Sequence, residues 1–217
     1  MFQSPFPLEV AFECVKVELA DKRLAQPAHS TAPSSGKRAR EYQAGRKAAK
    51  LALTKLGQAF ATDLTSAPDG APLWPNGICG SISHSKGLAV AAATYQQNYL
   101  SLGLDLQELR ALRMPLAFAE RICTKNELAN LSHLGKLLDE QLLRIFSVKE
   151  ALYKALSKYS AKRLLFKDAE VCFNGAAVHA EVLGFNDPIS VRQIRSQGFI
   201  LSGVLLKQLA NSAQCDN

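Results

Sequence analysis

Two short stretches carry side chains whose types and spacing suit the chemistry of anions and metal ions. The first is Phe146-Ser147-Val148-Lys149-Glu150-Ala151-Leu152-Tyr153-Lys154. Glu150 and Lys154 stand four residues apart, which in a helix puts them on one face. A carboxylate and an ammonium fixed there can hold a metal ion and an anionic group side by side. A plainer reading is open as well: Ser147-x-x-Glu150 fits a capping box, and Glu150 with Lys154 fits a surface ion pair worth a few tenths of a kcal/mol. The second stretch is Leu102-Gly103-Leu104-Asp105-Leu106-Gln107. It reads as the end of a strand over residues 99–104 that delivers a carboxylate, Asp105. Forty-odd residues separate Asp105 from Lys149.

The elements that must position these groups are legible in the hydrophobic spacing. Leu142, Ile145, Phe146, Leu152, Tyr153 and Leu156 form an apolar stripe at helical intervals, predicting a long helix over about 137–158. An earlier helix is expected over 37–56, stopped by Gly57. The segment 67–77 is rich in Pro, Gly and Asp and reads as irregular. An apolar strand over 88–95 follows Gly80–Ser85, and Gln96-Gln97-Asn98 reads as a hairpin-type connection into the 99–104 strand. Shorter helices are expected over 115–123 and 125–134. The chain then reads as strands over 169–173, 178–183, 189–194 and 199–206, after an early strand over 10–17. Helices mixed with hairpin-joined strands in each half argue for an α+β fold.

The chain has 217 residues, 47% of them hydrophobic, enough for one domain or two small ones. No apolar run reaches membrane-spanning length, and the first residues lack a signal-peptide pattern, so a cytoplasmic protein is expected. Five cysteines are scattered with no Cys-x-x-Cys pair, which favours free thiols over a zinc site or a disulfide framework. The net charge of +7 favours acidic partners. One basic cluster is Lys37, Arg38, Arg40, Arg46, Lys47, Lys50 and Lys55; the other is Arg144, Lys149, Lys154, Lys158, Lys162, Arg163 and Lys167. Solvated helix faces explain such clusters equally well. No nucleic-acid-binding module accompanies them, so nucleic acid is not the expected partner. Ser83-His84-Ser85-Lys86 contains Ser-x-x-Lys, but no Lys-Thr-Gly or Ser-Asp-Asn follows to complete a hydrolase.

At this separation the two stretches resemble the 4'-phosphopantetheinyl transferases. That family's pattern is a Gly-x-Asp strand end, forty-odd residues, then an aromatic–(Ser/Thr/Cys)–x–Lys-Glu–(Ala/Ser)–x-x–Lys helix. Phe146, Ser147, Lys149, Glu150, Ala151 and Lys154 fill every defined position of the helix part. Ile82-Ser83-His84-Ser85 is similar to the family's Ser-His segment. Leu73-Trp74-Pro75 and Ala44-Gly45-Arg46 resemble the larger, enterobactin- and surfactin-type branch. Arg121-Ile122-Cys123-Thr124-Lys125-Asn126-Glu127 is similar to the segment between the two main motifs. The resemblance spans roughly residues 37–170.

The resemblance implies two similar subdomains about a pseudo-twofold axis, 1–100 with the nucleotide contacts and 101–217 with the metal site. It implies Mg²⁺-dependent transfer of phosphopantetheine from coenzyme A to a serine of an acyl or peptidyl carrier protein, in siderophore, polyketide or fatty-acid synthesis. The alternative is a non-catalytic module that binds coenzyme A or a carrier. Asp105, Gln107 and Glu150 are the implied metal ligands, and Glu150 is also a candidate general base. Lys154, helped by Lys149, would neutralise phosphate; Ser83, His84, Arg38, Arg46 and Lys50 would hold the nucleotide end. Many members of the branch carry Glu where this chain has Gln107, so a weaker metal site is expected. A carrier with an acidic helical face would suit Arg144, Lys158, Lys162, Arg163 and Lys167. The protein is expected to act as a monomer.

Overall fold

Alternation along one strand sets the arrangement around the candidate site. In β4 (Ser101–Glu108), Leu102, Leu104 and Leu106 point to one face, and Gly103, Asp105 and Gln107 to the other. The leucines enter a buried cluster with Val90, Ala92, Leu201 and Leu205, which joins the two main sheets. The opposite face is left for a helix. The computed structural model describes residues 2–17, 36–58, 64–68, 70–131, 135–160 and 163–207.

The first sheet has the order β1-β3-β2, all antiparallel: β1 (Ala11–Lys16), β3 (Leu88–Tyr95) and β2 (Ile78–Ser85). Lys86 and Gly87 both have positive φ, as a two-residue hairpin between β2 and β3 requires. Helix α1 (Gly36–Lys55) lays Ala48, Ala49, Ala52 and Leu53 on this sheet, against Ile78, Ala91 and Ala93. Small side chains at that spacing let helix and sheet approach closely.

The second sheet has the order β4-β8-β7, with β7 (Ile189–Ser196) and β8 (Phe199–Leu206) joined by a hairpin. Helix α4 (Leu138–Leu156) crosses it, burying Val148, Leu152 and Leu156 against Val204 and Leu206. Between the sheets' contributions lie α2 (Pro115–Ile122) and α3 (Lys125–Leu131), and a separate hairpin pairs β5 (Ala169–Asn174) with β6 (Ala177–Val182). Every element expected from the sequence is present within a few residues of its expected limits, and the fold is α+β.

Three expectations change. Gln96-Gln97-Asn98 does not make a hairpin, because β4 pairs with β8 and leaves β3 to β1 and β2. The segment instead carries the chain from one sheet to the other. Asp105 is not at a strand end: β4 runs on to Glu108, so Asp105 is held by a ladder on both sides. Ser147 caps nothing, since α4 begins nine residues earlier; its hydroxyl lies 2.8 Å from that of Ser202 in β8.

Two contacts fix α4 over β4. A Cβ on Gly103 would stand 1.9 Å from the Ala151 carbonyl oxygen, so only glycine permits this approach. Lys149, at 1% side-chain exposure, donates to Glu127 Oε2 at 2.7 Å, to the Ile122 carbonyl at 2.8 Å and to the Phe166 carbonyl at 2.9 Å. Glu127 also accepts the backbone N–H groups of Thr124 and Val171, both at 2.7 Å. This network ties α4 to the α2–α3 turn and to β5.

Gly103→Ala is expected to lower stability by about 3 kcal/mol, since helix backbone must move to admit the methyl group. Chemical denaturation measures it, and a loss below about 0.5 kcal/mol would show that α4 moves off β4 at little cost. Glu127→Ala is expected to cost about 3–5 kcal/mol, because it leaves the buried Lys149 ammonium without its counter-charge. The same denaturation series checks this, with near-wild-type stability as the contrary result.

Candidate functional site

Asp105 is 3% exposed, and its carboxylate is nearly enclosed by donors. Lys154 Nζ donates to Oδ1 at 2.9 Å and also to the Leu104 carbonyl at 2.9 Å. The Ser83 hydroxyl donates to Oδ1 at 3.1 Å, and Gln107 Nε2 donates to Oδ2 at 2.8 Å. Charge pairing and hydrogen bonds of this kind offset the cost of burying an ionised carboxylate. The Glu150–Lys154 ion pair expected from the spacing is not formed: Lys154 reaches across to β4 instead.

Glu150 faces the same cluster and has no hydrogen-bond or ion-pair partner among the described residues. Its carboxyl is raised above the usual range, first by burial and then by the Asp105 carboxylate, with Lys154 opposing. Two carboxylates facing each other, one of them unpaired, are a poor arrangement until a cation joins them. The amide of Gln107 lies beside them. No group of three or more His, Cys, Asp or Glu side chains gathers among the described residues. The donor set of two carboxylates and one amide nevertheless fits Mg²⁺, which is ordinarily held by one or two carboxylates with substrate phosphates and water.

The structure thus brings Asp105, Gln107, Glu150 and Lys154 together, as the family resemblance implied. It does not bring Lys149 with them. Lys149 points toward Glu127 instead, and its three donors are already taken by Glu127 and two carbonyls. A residue next to Glu150 on a helix is turned by about 100° from it, so the two project in different directions. Its ammonium is destabilised by burial, which Glu127 counters. Lys149 is therefore a brace rather than a phosphate ligand, and Glu127 is the functional partner that the sequence reading missed. Thr124-x-x-Glu127 carried the signal: it is a capping box, with the Thr124 hydroxyl accepting the Glu127 N–H.

Ser83 and His84 were expected to act together on the nucleotide, yet they lie on opposite faces of β2. Ser83 points to β4 and Asp105. His84 points toward α1, with Nδ1 3.7 Å from Glu41 Oε2. Among the α1 candidates, Arg38 and Lys50 are exposed. Arg46 lies over the Tyr42 ring, 4.7 Å from its centroid, and donates to the Ser66 hydroxyl at 2.5 Å; its Nε is buried without a partner among the described residues. His84 and α1 therefore lie on one face of β2, and the Asp105 cluster on the other.

Beside Glu150 lies a cavity of about 190 Å³, lined by Lys149, Glu150, Tyr153, Arg163, Phe166 and Val182 among others. Arg144, a suggested carrier contact, is engaged elsewhere. Its guanidinium sits 4.1 Å from the Phe173 ring centroid and donates to Gln193 and Gln141. Lys162 lies outside the described residues. The buried thiols of Cys79 and Cys123 are pushed up to about 11 by burial, so they are unreactive near neutral pH.

Residues 26–94 match the 4'-phosphopantetheinyl transferase N-terminal domain, and residues 101–204 match the 4'-phosphopantetheinyl transferase superfamily. The chain is 31% identical over 159 residues to the 4'-phosphopantetheinyl transferase Npt of Nocardia iowensis, covering 72% of this chain and 70% of that protein. It is 33% identical over 132 residues to enterobactin synthase component D of Salmonella typhi, covering 60% of this chain but only 54% of that protein. Among solved structures, a holo-(acyl-carrier-protein) synthase from Bacillus anthracis in complex with CoA matches at 28% identity and a TM-score of 0.46, over 52% of this chain and 99% of that one. Two matched family regions that together hold β2, β4 and α4, with a relative covered over more than two thirds of its length, make this chain a member of the 4'-phosphopantetheinyl transferase superfamily, on its enterobactin-synthase-like branch.

Proposed function

We propose that the protein moves the 4'-phosphopantetheine group from coenzyme A to a serine of an acyl or peptidyl carrier protein, with Mg²⁺ at Asp105 and Glu150. The observation that carries this reading is the convergence of Asp105, Glu150 and Lys154 from β4 and α4, with Lys154 Nζ 2.9 Å from Asp105. The family match supports the reaction class.

In the reaction the serine oxygen attacks the phosphorus that bears the pantetheine arm. The pyrophosphate bond breaks, the adenosine bisphosphate leaves, and the serine proton is lost. Phosphoryl transfer of this type depends mainly on positioning and on neutralising charge that develops on oxygen. Asp105 and Glu150 would hold Mg²⁺, which would supply positive charge to neutralise the phosphate oxygens. Lys154 sits beside Asp105 to take a share of it. Glu150, whose carboxyl is raised in this site, is suited to accept the serine proton directly or through water. Gln107 lies within reach as a neutral third ligand. The cavity beside Glu150 has the size and the largely apolar lining to hold the pantetheine arm. His84 with Arg38, Arg46 and Lys50 would hold the nucleotide end.

We read residues 1–100 and 101–217 as two similar subdomains, supported by a helix laid on a three-stranded antiparallel sheet in each. We further read the protein as a cytoplasmic monomer that meets an acidic carrier through Lys158, Arg163 and Lys167. No helix among the described residues is long and apolar enough to cross a membrane. Mass spectrometry tests the central reading: an apo-carrier incubated with coenzyme A and Mg²⁺ should gain the mass of one phosphopantetheine group. Binding of coenzyme A without that gain would make the protein a non-catalytic binding module.

Asp105→Asn and Glu150→Gln should each lower transfer by about 100-fold or more, as removal of a positioned charge in a phosphoryl-transfer site does. Stability should respond differently. The raised Glu150 carboxyl means that the folded protein binds this proton more tightly than the unfolded chain does. Its contribution to stability is therefore gained as pH falls through that raised range and lost above it. Glu150→Gln should then unfold at the same or a higher temperature than wild type at neutral pH in a metal chelator. A lower unfolding temperature would contradict the unpaired, disfavoured carboxylate described above.

The nucleotide assignment makes a separate prediction. Coenzyme A should bind more tightly than its dephospho form, which lacks the ribose phosphate, and His84→Ala or a charge-removing change at the true α1 contact should abolish that preference. Calorimetry with both ligands decides it. Equal affinities for the wild type would place the ribose phosphate away from the α1 face.

A further inference from the structure

Three serines at alternate positions of β2 line the edge that faces β4. Ser81 Oγ accepts the Leu104 N–H at 3.0 Å, Ser83 Oγ the Leu106 N–H at 3.1 Å, and Ser85 Oγ the Glu108 N–H at 3.2 Å. The strands belong to different sheets, so no backbone ladder joins them. Side-chain hydroxyls take its place, satisfying the amide groups of β4 that point away from β8. The constant offset along both strands makes a seam in fixed register.

Ser83 differs from the other two in one respect. Its O–H donates to Asp105 Oδ1 at 3.1 Å, and its oxygen also receives Lys154 Nζ at 3.2 Å. A serine hydroxyl has one proton and two lone pairs. Leu106 and Lys154 fill the lone pairs and Asp105 takes the proton. Ser83 thus faces the Asp105 cluster, while its neighbour His84 faces α1.

We infer that Ser83 is a positioning residue for the reaction, which ties the Asp105 carboxylate and the Lys154 ammonium to the β2–β4 seam and sets their orientation. The inference rests on the reading of Asp105 as a metal ligand. Through Ser83 the first sheet acts on a carboxylate and a lysine that both belong to the second. Ser81 and Ser85 hold the same seam without touching either group and serve as internal controls.

The probe is Mn²⁺, titrated by calorimetry and by the loss of its free-ion electron paramagnetic resonance signal, in the presence of coenzyme A and without a carrier. Ser83→Ala should weaken Mn²⁺ binding by roughly 10–100-fold, the range seen when a group orienting a metal ligand is removed. Ser81→Ala and Ser85→Ala should change it by less than about threefold. Ser83→Thr, which keeps the hydroxyl, should retain affinity, and Ser83→Cys, a poor donor, should lose it; this pair decides the matter if the alanine variant does not fold. Equal losses in all three alanine variants, or Mn²⁺ affinity in folded Ser83→Ala within twofold of wild type, would overturn the inference. Asp105→Asn separates the two readings. If it leaves Mn²⁺ binding unchanged, the metal assignment fails. Ser83 is then judged from crystal structures of wild type and Ser83→Ala: an unmoved Asp105–Lys154 pair overturns the positioning role, and a displaced pair upholds it.

Discussion

The close passage of α4 over Gly103 is the constraint on which the site depends. With a Cβ there only 1.9 Å from the Ala151 carbonyl oxygen, the helix sits as near to the strand as main-chain atoms permit. That distance allows the Lys154 side chain, one turn beyond Glu150, to reach both the Leu104 carbonyl and Asp105. A helix held an ångström or two further out would leave Asp105 buried without its counter-charge, at a cost of several kcal/mol. The glycine is thus an electrostatic requirement as much as a steric one.

Two lysines five residues apart on this helix show how orientation decides role. Lys154, with 27% of its side chain exposed, keeps one side open to solvent while it holds Asp105. Lys149, almost fully enclosed, gives all its donors to Glu127 and two carbonyls. The first has room to meet a substrate phosphate. The second fixes the angle at which the helix presents Glu150. Their buried acidic partners, Asp105 and Glu127, come from different elements, so the helix is braced on two sides by charge as well as by its apolar stripe.

The β2–β4 seam adds a third restraint from the other sheet. Serine hydroxyls bridging to main-chain N–H groups are shorter in reach and more directional than apolar packing. They hold register where the leucine and alanine side chains of the central cluster would tolerate small sliding. The candidate site therefore lies where a helix, a strand ladder and a hydroxyl seam all act on Asp105.

Much of this was legible from residue spacing. The alternation around β4, the stripe of α4 and the four-residue step from Glu150 to Lys154 are periodic signals within single elements, and local backbone geometry is enough to interpret them. The carboxylate pair and its lysine were identified on that basis together with the family pattern. What the chain alone did not determine was direction in space. Lys149 and Glu150 are neighbours in sequence but project about 100° apart around the helix, and which of them meets β4 depends on which face Gly103 admits. Ser83 and His84 are likewise neighbours, yet they are sent to opposite faces of β2, one to Asp105 and one to α1. The 96–98 turn looked like a hairpin because local composition cannot report that β8, a hundred residues later, pairs with β4. Spacing determined which side chains could act together; only long-range pairing of strands and helix decided which of them do, because a side chain's partner is set by what packs opposite it, and that lies far away along the chain.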